Sequence, residues 1–310
     1  ISASRKIWEG KIELEREMEY LRQHFGQALS GEKSFLKINE PMADHTTFGI
    51  GGPARWYAAP SREEELRELL LICGQEEIPA YILGNGSDLL VSDEGCDGLV
   101  ISMKENWAYG RIQGRGLRAG AGLLLSKAAS MAQKAGLSGL EFASGIPGTV
   151  GGAAVMNAGA YGSEMKDVMM SLKVMDRQGQ VRTLNRAEIG FGYRTSCVEP
   201  MGYIVLEAEF ELKEGDPEEI RARMDLLAAR RREKQPLEFP SAGSTFKRPE
   251  GYFAGKLIDE AGFRGYRIGD AQVSEKHCGF VINRGNATAA QVMELCRQIR
   301  QRVLEKDGVE

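Results

Sequence analysis

Apolar positions recur at near-helical spacing among Glu and Arg from about Trp8 to Leu29, and predict an amphipathic helix on the outside of the fold that frays at Gly26 and Gly31. Leu66, Leu69, Leu70 and Cys73 share a second helical face and predict a helix from Ser61 to about Gln75, opened by a capping box of Ser61 and Glu64. Leu123 to Ala135 carries a third. Shorter apolar runs predict strands at Tyr81–Leu83, Asp97–Ser102, Leu172–Met175 and Val181–Leu184, the last two joined by a turn at Gln178-Gly179. Arg111 to Gly120 has the glycine punctuation of a hairpin. Tyr203 to Leu212 begins apolar and then alternates, as a strand buried mainly on one face would.

At Lys213–Pro217 the sequence KEGDP combines a linker with a helix start, Asp216 as N-cap and Pro217 at the first helical position. That helix is expected to reach about Lys234 and stop before Gln235-Pro236. A short helix near Ala254–Glu260 and strand-like segments at Tyr266–Val273 and Cys278–Asn283 follow. A last helix starts at Thr288, with Gln291 closing its capping box and Val292, Leu295, Ile299 and Val303 on its buried side. The mixture indicates an α/β or α+β layered architecture. We divide it into an N-terminal helical segment (1–34), a first domain (35–213) and a smaller second domain (214–310).

The stretch Gly139–Tyr161 fits neither period. It holds six glycines, one proline and no Lys or Arg, a composition suited to close backbone approach by a ligand. Small residues leave amide N–H groups uncovered, and successive uncovered amides form concave sites for phosphate or pyrophosphate. A second glycine cluster, Gly84, Asn85, Gly86, Ser87 and Asp88, follows the Tyr81–Leu83 strand, so two loops could grip one diphosphate. Gly49, Gly51 and Gly52 do not complete a dinucleotide fingerprint, because Pro53-Ala54 stands where the last glycine and its helix belong. A tight strand connection packed by Phe48 and Trp56 is expected there instead.

The 310 residues can bury a large core, and the 38 glycines follow no repeat, which excludes a collagen-like chain. A net charge of -4 leaves no electrostatic footprint for nucleic acid. The run Arg230, Arg231, Arg232 lies beside acids and is expected on a solvated helix face. Five widely spaced cysteines without a CxxC pair argue against disulfides and zinc, and for a reducing cytoplasm. No stretch is long and apolar enough for a membrane span. His24, His45 and His277 lack metal-ligand spacing, so no metal is expected.

Candidate chemistry lies elsewhere. Arg194, in FGYRTS beside Tyr193, could hold a carboxylate through two parallel hydrogen bonds or lie free at the surface. Ser244 sits in the small-residue loop AGST, with no G-x-S-x-G elbow around it, which argues against an acyl-transfer hydrolase. Lys234, Arg248 and Lys276, in separate loops of the second domain, would together suit an anionic substrate.

Six segments taken in order, DHTTFGIGGPA, YILGNGSDLL, SGIPGTVGGAAVMNAGAYG, FGYRTS, SAGSTFKRP and EKHCGFVINRGNAT, span residues 44–288 and closely resemble the UDP-N-acetylenolpyruvoylglucosamine reductases, flavoenzymes of peptidoglycan precursor synthesis. The resemblance implies an α+β fold with a two-part FAD-binding domain of the vanillyl-alcohol oxidase (PCMH) type, then a substrate domain. It implies non-covalent FAD, NADPH as hydride donor, and UDP-N-acetylglucosamine enolpyruvate as substrate, in the cytoplasm. It places FAD against Gly84, Asn85, Gly86, Ser87, Asp88, Ser144, Gly145, Ile146, Pro147, Gly148, Thr149, Gly151, Gly152, Asn157, Gly159 and Ala160. Arg194 and Ser244 become catalytic, Ser244 as proton donor; Tyr193, Lys234, Arg248 and Lys276 become substrate-binding. The short interval from Arg194 to Lys234 resembles the form without the tyrosine-bearing substrate loop. The family's catalytic glutamate follows the last helix, and Val309-Glu310 stand where its string would begin, so a C-terminal truncation is expected and no glutamate is assigned. A flavin alcohol oxidase of the same fold and a silent nucleotide-sugar sensor are the rival readings.

Overall fold

The computed structural model describes residues 15, 16 and 18–310. Residues 8–14 and 17 of the expected first helix lie outside the described residues; 18–28 are helical and form α1. After it come β1 (Phe35–Pro41), β2 (Pro53–Ala59), α2 (Glu63–Gln75), β3 (Ala80–Leu83) and β4 (Cys96–Ser102), which make a sheet of order β1-β2-β4-β3. β3 and β2 run parallel to β4, while β1 is antiparallel to β2. Alternation along these strands divides the interior. Trp56, Ala58, Leu99 and Ile101 face the main core with Phe25 of α1 and Leu66 and Leu69 of α2, whereas Tyr57, Leu83 and Val100 face a smaller cluster with Met42.

The α2 entry differs from the capping box expected of Ser61 and Glu64. The helix starts at Glu63 with Arg62 as an N-cap that makes no side-chain cap bond. Glu65, 2% exposed, takes the role of acceptor for the whole corner. It receives the backbone N–H of Ser30 at 3.0 Å and of Ser61 at 2.8 Å, the Gly31 N–H, the Ser34 hydroxyl and the Arg62 guanidinium. Burial alone would push this carboxyl up, but the hydrogen bonds from Ser34, Ser61, Gly31 and Arg62 overcome it and hold the carboxyl at about 2.

The next layer is antiparallel. It contains β5 (Gly110–Gln113), β6 (Gly116–Gly120), α3 (Leu125–Lys134), β7 (Leu137–Ser138), α4 (Val150–Val155), β8 (Gly159–Ala160), β9 (Ser163–Glu164), β10 (Met169–Met175), β11 (Val181–Asn185), α5 (Arg186–Ile189), β12 (Ile204–Glu211) and β13 (Lys213–Glu214). The five-stranded sheet has the order β11-β10-β12-β6-β5. Its register sets Leu184, Leu172, Ala208 and Ala119 side by side in one buried row. The β10–β11 turn uses Gly179 at φ 79°, as the Gln178-Gly179 signal requires.

The last stretch holds α6 (Pro217–Lys234), α7 (Ala254–Glu260), β14 (Arg267–Ile268), β15 (Ala271–Val273), β16 (Val281–Asn283) and α8 (Ala289–Asp307). Asp216 caps α6 through the N–H groups of Glu218 and Glu219, and Thr288 with Gln291 boxes α8. The strand expected over Tyr266–Val273 is broken at Gly269, φ 56°, into β14 and β15. Phe48 does not pack beside Trp56 as expected. With Ile50 it enters the core of Leu257, Val273, Val292, Leu295 and Ile299, so the 44–52 segment is a bridge between layers. Asp93 strengthens that bridge by accepting the N–H groups of Ala289 and Ala290 at 2.7 and 2.9 Å. Among the described residues no helix is long and apolar enough to cross a membrane.

Candidate cofactor and substrate site

The two glycine loops face each other. Asn85 donates its side-chain amide to the Pro147 carbonyl at 2.6 Å, and a Cβ on Gly84 would collide with the Thr149 hydroxyl. Gly86, at φ 60°, lies so close to the backbone of His45 and Thr46 that any side chain would strike the His45 carbonyl. Gly148 is different: a Cβ there would meet nothing nearer than the Ser87 hydroxyl at 3.8 Å. Protein packing demands glycine at 84 and 86, whereas at 148 it keeps the space between the loops clear.

Not every amide in these loops is uncovered. The N–H of Val150 goes to Leu123, that of Gly151 to the Ala121 carbonyl at 2.8 Å, and that of Gly152 to the Thr149 hydroxyl. The N–H groups of Gly151 and Gly152 are thereby engaged within the protein; Gly151 lies directly on Ala121, whereas Gly152 is exposed. Ile146 donates to Ala143 and packs on the main core, and Ser144 directs its hydroxyl to the Glu141 carbonyl at 2.8 Å. Among the described residues, the N–H groups of Asn85, Gly86, Ser87, Gly145, Gly148 and Thr149 meet no acceptor. The cradle is thus lined with donors, the polarity a pyrophosphate needs.

Asn157, 1% exposed, spends its side chain inside the protein: it donates to Glu164 and to the Gly192 carbonyl and accepts from the Lys166 N–H. It can offer a ligand only backbone, and its work is to bind the Gly159–Ala160 ribbon to the Arg194 turn. Arg194, itself at φ 55°, donates to the Gly159 carbonyl at 3.3 Å and has the Tyr193 ring 5.6 Å away. Partial desolvation raises the Asp88 carboxyl, and the Arg194 charge opposes that rise. The 84–88 loop, the 144–160 stretch and Arg194 therefore form one surface.

A chain of hydrogen bonds brings Ser244 to it. Thr47 donates its N–H to the Gly86 carbonyl at 3.1 Å and its hydroxyl to the Ser241 carbonyl at 2.7 Å, and takes the Ser241 N–H in return. Ser244 follows three residues later, exposed, bridged to Phe280 through the backbone. Among the described residues its hydroxyl has no hydrogen-bond partner.

The cations are less unified. Lys234, exposed at the end of α6, is free of ion pairs among the described residues. Lys276 reaches the same helix end, donating to the Arg232 carbonyl at 2.7 Å with Glu238 at 3.8 Å. Arg248 is held apart, bonded to the Tyr252 carbonyl and stacked 3.9 Å over Phe253. The expected solvated face at Arg230–Arg232 holds for Arg230 and Arg232 only; Arg231 is half-buried against Gly145. Its position four residues after Leu227, on the stripe of Ile220, Met224 and Leu227, was the overlooked signal.

Residues 54–185 match the family described as an FAD binding domain, and residues 235–310 match that described as UDP-N-acetylenolpyruvoylglucosamine reductase, C-terminal domain. The UDP-N-acetylenolpyruvoylglucosamine reductase of Clostridioides difficile is 50% identical over 277 residues, covering 89% of this chain and 91% of that protein. That of Caldanaerobacter subterraneus is 52% identical over 275 residues, again 89% and 91%. The crystal structure of the reductase from Thermus caldophilus superposes with a TM-score of 0.77 at 40% identity, covering 89% of this chain and 97% of that one. These matches carry the α+β architecture with its FAD-binding domain, and the donor-lined cradle fits that cofactor.

Proposed function

The chain belongs to the UDP-N-acetylenolpyruvoylglucosamine reductase family, and we propose that it reduces UDP-N-acetylglucosamine enolpyruvate to UDP-N-acetylmuramate where the two glycine loops meet the Ser244 loop. FAD bound here would supply the hydride chemistry between NADPH and the terminal enolpyruvyl carbon. The free amides of Asn85–Ser87, Gly145, Gly148 and Thr149 would hold its pyrophosphate, and the absence of a side chain at Gly148 would admit it. Ser244 gives a proton to the carbon adjacent to the new C–H bond, completing the lactyl ether; its exposed hydroxyl recovers a proton from water. Arg194, set by the Gly159 carbonyl, balances the negative charge that gathers on the substrate carboxylate before that proton arrives.

The substrate's diphosphate meets Lys234, which among the described residues is the one of the three expected cations whose head has no partner. Arg248 and Lys276 join by exchanging the Tyr252 and Arg232 carbonyls for substrate oxygens, with Tyr193 alongside. In this reading residues 35–213 carry the cofactor and 214–310 the substrate, with α6 as the arm between them. We place the reaction in the cytoplasm, where NADPH is supplied.

The observation that carries this reading is the link from Gly86 through Thr47 to Ser241, which sets the serine loop against the cofactor loop. The test is product formation. FAD-loaded protein given NADPH and the enolpyruvyl substrate without oxygen should yield one product heavier by two hydrogens for each NADPH consumed. NADPH consumption that needs oxygen and leaves the substrate unchanged would refute the assignment.

A further inference from the structure

Arg231 sits where a helix of this kind should carry an apolar residue. α6 turns Ile220, Met224 and Leu227 inward, and Arg231 continues that stripe. Among the described residues it makes no ion pair and donates no hydrogen bond. Burial lowers its basicity, with the Tyr161 phenol nearby acting in the opposite direction. A desolvated guanidinium without a partner costs stability, so its retention calls for a ligand. Two contacts say where that ligand lies. The Cδ and Nη1 of Arg231 stand 3.2 and 3.7 Å from the position of a Cβ on Gly145, and the Tyr161 hydroxyl donates to the Leu227 carbonyl one turn earlier on the same helix. The guanidinium therefore adjoins Gly145, whose N–H meets no acceptor among the described residues, in the loop that also carries the free N–H groups of Gly148 and Thr149. Side chain and backbone both offer donors at this point of the 144–149 loop, and among the described residues no Asp or Glu is ion-paired with Arg231.

We propose that Arg231 is the counter-charge of the FAD pyrophosphate, reaching from α6 to complete the cradle of the two glycine loops. The inference rests on the reading that these loops hold FAD. It adds a consequence for assembly: α6 precedes the substrate-side core, so binding the cofactor fixes the arm that carries Lys234 at its end.

The test titrates flavin-depleted full-length protein with FAD and, separately, with riboflavin, which has the ring system but no phosphate. A charge-assisted hydrogen bond lost here corresponds to roughly a 10- to 100-fold rise in the FAD dissociation constant for Arg231→Met. Riboflavin affinity should stay unchanged, Arg231→Lys should recover part of the FAD affinity, and the steep salt dependence of wild-type FAD binding should flatten in Arg231→Met. The flavin-free Arg231→Met protein should melt at or above the wild-type temperature, because a half-buried charge without an ion-pair partner among the described residues has been removed. FAD affinity within twofold of wild type would overturn the proposal, as would an equal loss of riboflavin affinity, which would mean a general disturbance. Failure of the wild-type protein to bind FAD would instead overturn the reading of the loops.

Discussion

The side-chain amide of Asn85 donates to the carbonyl of Pro147 at 2.6 Å, closing two loops 62 residues apart into one cradle. A single neutral hydrogen bond is worth about 0.5–1.5 kcal/mol net. Asn85→Ala should therefore weaken FAD binding roughly 2- to 10-fold while leaving thermal stability near wild type. Fluorescence titration of the flavin-free protein measures it, and unchanged affinity would mean that the loops hold their spacing without this bond.

The glycines of the cradle separate into two kinds, and alanine substitution should separate them too. Gly148→Ala has room within the protein, so the variant should fold with wild-type stability yet lose most of its FAD affinity. Gly86→Ala combines a positive φ with a collision at His45, and should lower the melting temperature of the flavin-free protein itself. Calorimetry without flavin, paired with FAD titration, distinguishes them. Equal behaviour of the two variants would contradict the assignment of Gly148 to the ligand.

Glu65 predicts a pH dependence of stability. Its carboxyl is held at about 2 in the folded protein against an ordinary 4.5, so its contribution is fully present above pH 4.5 and is lost as the pH falls toward 2. Glu65→Gln keeps the shape but replaces one of the two acceptor oxygens by an NH2 donor and removes the charge among five donor residues, and should cost about 2–3 kcal/mol at neutral pH. Urea unfolding of both proteins should show that difference shrinking below pH 4.5. A difference independent of pH would mean that the charge of Glu65 is not what secures the corner.

Local signals in the sequence were reliable where the physics is local. Asp216 and Pro217 open α6, Thr288 and Gln291 box α8, and Gln178-Gly179 turns β10 into β11, because each motif satisfies backbone groups within a few residues. Composition alone points to uncovered amides in the glycine loops, and the structure leaves those of Asn85, Gly86, Ser87, Gly145, Gly148 and Thr149 without an acceptor among the described residues while Val150, Gly151 and Gly152 are engaged. Family resemblance, not spacing, supplied the flavin. What could not be read were contacts between distant segments. Asp93 caps a helix 196 residues away, Thr47 bonds Ser241 across 194, and Phe48 enters a core assembled from residues after 257. The mistaken pairing of Ser61 with Glu64 has the same origin: Glu65 is chosen by Ser30, Gly31 and Ser34, which the local pattern does not see. Arg231 could have been found, since a charge at the fourth place of an inward stripe is a sequence-level anomaly.

The most direct measurement of the central claim, that the serine loop and the cofactor loops serve one reaction, is anaerobic stopped-flow spectroscopy of Ser244→Ala beside wild type. Bleaching of the flavin by NADPH uses no proton from Ser244 and should keep its wild-type rate. Recolouring on mixing with the enolpyruvyl substrate requires both hydride and proton, and product formation should slow by roughly 100- to 10,000-fold, the usual contribution of a positioned acid. Wild-type rates in both halves would contradict the account, because an exposed serine hung from Thr47 would then have no part in the chemistry beside it.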